Sequence, residues 1–78
     1  MKRIMIQVSE EAAQSLAVLA ARCTSANKRR DGCTSHGVLS VSAMMGMLAE
    51  DAAMVISRPG SWEGSNMAQV FSSHGYEV

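Results

Sequence analysis

Seventy-eight residues make one domain at most, and a domain this small buries so little surface that it usually needs a disulfide, a metal or a second chain to hold it. Apolar residues are 47% of the chain, which excludes a disordered protein. No apolar run approaches the roughly 20 residues that span a bilayer. The net charge of zero excludes a uniformly basic nucleic-acid binder, but the charges are segregated. Residues 1–39 carry Lys2, Arg3, Arg22, Lys28, Arg29 and Arg30 against Glu10, Glu11 and Asp31, a balance of +3. Residues 40–78 carry Arg58 against Glu50, Asp51, Glu63 and Glu77, a balance of −3.

In chain order, residues 2–8 alternate. Ile4, Ile6 and Val8 fall on one face, and Arg3, Met5 and Gln7 on the other. This period of two predicts a half-buried strand. Nothing else in the chain offers a strand of comparable quality, so its partner is expected to be the same strand of a second copy. The opening Met-Lys-Arg-Ile-Met-Ile-Gln-Val starts like the basic region of a signal peptide. Ser9-Glu10-Glu11 cuts it short before an apolar region can form, and a cytoplasmic protein is expected. Cys23 and Cys33 are then expected to be thiols rather than a bridge.

Ser9 is a suitable N-cap, with Glu10 and Glu11 in the first turn where the helix dipole favours anions. Ala12, Leu16, Leu19, Ala20 and Cys23 then recur at helical spacing, which predicts a helix over about 10–23. Residues 24–39 have no clear period and contain the turn-like pairs Asp31-Gly32 and His36-Gly37. They are expected to form a long loop, with or without a frayed extension of the helix through Lys28-Arg29-Arg30. Ser40 is the next cap, with Leu39 and Met44 placed as a hydrophobic staple. Val41, Met44, Met45, Leu48, Ala52, Val55 and Ile56 predict a second helix over about 41–57, ended by Arg58-Pro59-Gly60. Ser61-Trp62-Glu63-Gly64 reads as a polar turn. Ser65 then caps a short third helix over about 66–74, with Met67, Val70 and Phe71 inward and Gly75 as its C-cap.

The run Lys2-Arg3-Ile4-Met5-Ile6-Gln7-Val8-Ser9-Glu10-Glu11 resembles the opening of the ribbon–helix–helix repressors of the Arc and MetJ type. Val38-Leu39-Ser40-Val41-Ser42-Ala43-Met44 is similar to the start of that family's second helix. The resemblance covers roughly residues 2–23 and 38–56; the long segment 24–39 and the tail after Pro59 lie outside it. It implies a mostly α fold with one N-terminal strand, an intertwined homodimer held by an intermolecular antiparallel two-stranded ribbon, and a short C-terminal helix. Residues 1–58 would be the core and 59–78 an extension of the same domain.

That fold implies a sequence-specific, non-enzymatic repressor whose paired strands enter the major groove of double-stranded DNA. Arg3 would donate to guanine O6 and N7, Gln7 would pair with adenine, and Met5 would touch a thymine methyl. Lys2, Lys28, Arg29 and Arg30 would contact phosphates, as would Ser40, Val41 and Ser42 at the second-helix start. A solvated strand face, a solvated loop and ordinary capping are the competing explanations of the same residues. Trp62 is the candidate contact for a protein partner, although packing against helix one or two is the preferred explanation of it. The alternative function is a small protein-binding module, of antitoxin or phage- and plasmid-inhibitor kind, using residues 59–78.

Metal and catalytic sites are not expected. Cys33-x-x-His36 is a usable half-site, but Cys23 and His74 supply no second compact pair, so no cofactor is expected. No nucleophile elbow, phosphate loop or paired-carboxylate arrangement is present.

Overall fold

The computed structural model describes residues 1–78. It contains three helices, α1 (Glu10–Arg29), α2 (Val41–Ser57) and α3 (Trp62–Ser73), and no strand. The chain divides into two compact units, Met1–Ser42 and Ala43–Val78.

The expected N-terminal strand and the ribbon–helix–helix architecture built on it are therefore overturned: the chain is all α. Residues 1–9 carry no regular structure, and Ile4, Ile6 and Val8, the face expected to be buried, are exposed, Ile4 to 84%. The physical reason lies in the backbone. A strand satisfies its N–H and C=O groups only through a neighbouring edge, and this chain contains no second strand to provide one. Alternation of side chains says which face could be buried, not that anything covers it.

In the first unit, α1 begins where its cap dictates. Ser9 has an extended backbone, and its hydroxyl accepts from the Ala12 N–H at 3.1 Å. Glu10 and Glu11 in the first turn, with Lys28 and Arg29 in the last, both suit the helix dipole. The helix runs six residues past the expected end at Cys23. Thr24 and Asn27 are ordinary helix formers at best, but here they lie on the inward face, one turn apart, and both find partners in the loop that follows. The Thr24 hydroxyl accepts from the Leu39 N–H at 3.1 Å and donates to the Leu39 carbonyl at 3.2 Å. Thr34 donates its hydroxyl to Asn27 Oδ1 and accepts from the Gly37 N–H at 3.2 Å. Leu39 is buried as a result of this anchoring, and the segment 30–40 folds back on the helix it leaves.

The C-terminus of α1 closes in a Schellman motif. The Gly32 N–H donates to Asn27 O at 2.9 Å and the Asp31 N–H to Lys28 O at 3.1 Å. The left-handed position is filled by Asp31, at φ 52°, not by a glycine. Short polar side chains tolerate that region better than other residues do.

In the second unit, α2 occupies the expected range and stops before Arg58, whose position ahead of Pro59 disfavours helical backbone. Its inward stripe is mainly methionine and aliphatic: Met44 is only 1% exposed, and Met45, Met47, Leu48, Ala52, Met54 and Val55 are half-buried. The third helix starts four residues earlier than expected, at Trp62, and its cap is Ser61 rather than Ser65. The Ser61 hydroxyl accepts from the Gly64 N–H at 3.0 Å and donates to Arg58 O at 2.7 Å, tying the new helix to the end of the old one.

Gly64 is the reason for the difference. Local propensity marks glycine as a turn residue, yet Gly64 lies buried in the first turn of α3 because the two helices approach too closely for a side chain. A Cβ there would lie 2.5 Å from Arg58 O and 2.6 Å from Met54 O. The far end of α3 closes in a second Schellman motif, with Gly75 at φ 89°, its N–H on Ser72 O at 2.9 Å and the Tyr76 N–H on Phe71 O at 3.0 Å.

Candidate interaction surface

No three His, Cys, Asp or Glu side chains converge on a point that could hold a metal ion. Cys23 and Cys33 are free thiols, the first half-buried and the second exposed. Ser35 Oγ and His36 Nδ1 lie 2.6 Å apart, but they are sequence neighbours on the surface of the loop. Two open depressions are formed by α1 alone. One is lined by Glu11, Gln14, Ser15, Val18, Leu19 and Arg22, the other by Val18, Ala21, Arg22, Ser25 and Arg29. A single helix cannot enclose a ligand; these hollows mark a helix face that nothing covers.

The residues expected to read bases, Arg3, Met5 and Gln7, are exposed in the segment without regular structure, so no ribbon holds them in a common register. Lys2 belongs to the same segment. Lys28 and Arg29 end α1 and Arg30 is its C-cap, which groups these three cations at one helix end. Ser40 precedes α2, Val41 and Ser42 begin it, and all three are exposed. Trp62 does not pack against a helix, contrary to the preferred expectation. At the first position of α3 it is 76% exposed, because the inward side of that helix is defined by Gly64, Met67 and Ala68, and Trp62 lies opposite them. Val70, expected inward, is also exposed, and Phe71 is 36% exposed.

Few of the apolar side chains are covered. Only Ala20, Leu39 and Met44 are buried hydrophobic residues, whereas fifteen large hydrophobic residues are exposed. They include all three aromatic residues, Trp62, Phe71 and Tyr76, which lie on α3 or just beyond it. This concentration was only partly legible beforehand: Trp62 stood out by type, while Phe71 and Tyr76 gave no sign that they would be left uncovered. The accessible surface is 6621 Å².

No protein-family model matches this chain, and neither a characterised protein nor a solved structure gives a significant match. No helix is long and apolar enough to cross a membrane.

Proposed function

We propose that this chain is a small protein-binding module that completes its fold by association rather than by an internal core. The observation that carries this reading is the ratio just described: three hydrophobic residues buried and fifteen large ones exposed, every aromatic among them. Apolar surface left in water costs about 25 cal/mol per Å². Trp and Tyr are also the residue types on which binding energy concentrates. A reducing compartment such as the cytoplasm suits the two free thiols.

The test combines dye binding with thermal unfolding followed by circular dichroism at increasing protein concentration. An association module either binds the apolar dye ANS as an unfilled surface or unfolds at a temperature that rises with concentration. A chain that excludes the dye and unfolds at one temperature at all concentrations refutes the reading.

A second reading, duplex DNA, is favoured by one observation: Lys2, Arg3, Arg22, Lys28, Arg29 and Arg30 are all exposed, in the half of the chain with net positive charge. Without a ribbon, these cations would contact phosphates rather than read sequence. Fluorescence anisotropy with a labelled duplex across a salt series tests it. Binding that weakens steeply with salt supports it, and no binding at low salt removes it.

A further inference from the structure

We infer that Met54 is an oxidation site that controls the joint between α2 and α3: a hydroperoxide that converts its thioether to the sulfoxide loosens the start of α3. Every residue of this joint lies within the unit Ala43–Val78.

Met54 stands in the last turn of α2 and meets the start of α3 through both its side chain and its backbone. Its sulfur lies 3.9 Å from the Ser61 hydroxyl. That hydroxyl is the cap of α3: it accepts from the Gly64 N–H at 3.0 Å and donates to Arg58 O at 2.7 Å. The Met54 carbonyl accepts from the Arg58 N–H at 2.9 Å and faces Gly64, where a Cβ would come within 2.6 Å of it. One residue therefore touches both the cap of α3 and the closest approach of the two backbones.

The chemistry of sulfur makes this contact conditional. A thioether is a weak acceptor, so the single proton of the Ser61 hydroxyl goes to Arg58 O. When the sulfur lone pair attacks the outer oxygen of a hydroperoxide, an S–O bond forms as the O–O bond breaks, and the leaving oxygen takes up the peroxide proton. The sulfur loses two electrons, and the peroxide is reduced to an alcohol or to water. The product is a polar sulfoxide on a side chain that was apolar. Its oxygen competes with Arg58 O for the Ser61 proton, and its polarity draws the side chain from the joint toward water. Either movement weakens the cap.

The other methionines differ in place. Met1 and Met5 are exposed in the segment without regular structure, so oxidation there disturbs no packing. Met44 is only 1% exposed and out of a peroxide's reach. Met54 is half-buried, which admits a small oxidant and still leaves packing to lose. Met45, Met47 and Met67 are equally half-buried, and they provide the comparison for a sulfoxide away from the cap hydroxyl.

The test is mild oxidation of the full chain with hydrogen peroxide. A thiol reductant afterwards restores the cysteines and leaves the sulfoxides, which need a dedicated reductase. Chromatography separates the singly oxidised forms, and peptide mass spectrometry assigns them. The form oxidised at Met54 should melt at least about 5 °C below the untreated protein, the effect of a lost cap on a chain of this size. Its Gly64 amide should exchange several-fold faster, and faster than in the forms oxidised at Met45, Met47 or Met67. The form oxidised at Met5 should match the untreated protein. Met54→Leu nearly conserves volume and should keep its Tm through the same treatment. A Met54 sulfoxide that melts and exchanges like the Met5 sulfoxide overturns the inference. So does a Met54→Leu protein that loses as much Tm as the wild type, or a Met54 that stays reduced when Met1 and Met5 are fully converted.

Discussion

The hydroxyl of Thr24 holds the segment that follows α1 in place, and its removal should be felt throughout the first unit. It accepts from the Leu39 N–H and donates to the Leu39 carbonyl, at 3.1 and 3.2 Å, so one side chain satisfies both backbone groups of a buried residue. Thr24→Val keeps the β-branched shape and nearly the same helix propensity, so what it removes is the hydroxyl alone. A buried backbone group left without a partner costs about 1–3 kcal/mol. Two groups are affected, but Thr24 is only half-buried and water can reach part of the gap, so the expected loss is about 2 kcal/mol. At about 4–8 °C per kcal/mol for a chain of this length, Tm should fall by about 10 °C. Thr24→Ser keeps both hydrogen bonds and should lose less than about 1 kcal/mol, the share of one methyl group. Thermal unfolding of the three proteins at one concentration measures the stabilities, and amide hydrogen exchange at Leu39 reports the bond itself. If Thr24→Val matches the wild type in Tm and leaves Leu39 exchange unchanged, the hydroxyl is not what anchors the loop.

Two further substitutions test the second unit. Gly64→Ala places a Cβ 2.5 Å from Arg58 O, where backbone rather than a flexible side chain must move, and should cost about 2 kcal/mol or more in chemical denaturation; a gain, as expected for alanine in an open helix, would show that the helices do not meet there. Ser61→Ala should cost about 1 kcal/mol as the loss of a cap, whereas Ser65→Ala, inside the helix, should change stability by less than about 0.5 kcal/mol; the reverse order would return the start of α3 to Ser65.

Much of the secondary structure was legible in the sequence because its signals are local. Ser9, the paired glutamates after it, the stop at Arg58-Pro59-Gly60 and the glycine after His74 each act on backbone groups within a few residues, and each has the role its chemistry predicts. The range of α2 followed from its apolar spacing for the same reason. Three features depended on distant partners and were not legible. α1 continues through Thr24 and Asn27 because Leu39 and Thr34 meet them, seven to fifteen residues away. α3 begins at Trp62 because Gly64 allows backbone to approach backbone, an advantage invisible to a scale that counts only glycine's flexibility. Residues 2–8 have the alternation of a strand but no edge to bond to, and alternation specifies a face without supplying the neighbour that would make it a sheet. The sequence thus determined where helices start and stop under local control, and how charge divides between the halves. Only the tertiary structure decided which apolar residues would be covered. Burial depends on what else arrives at a surface, and no local signal in the sequence states that.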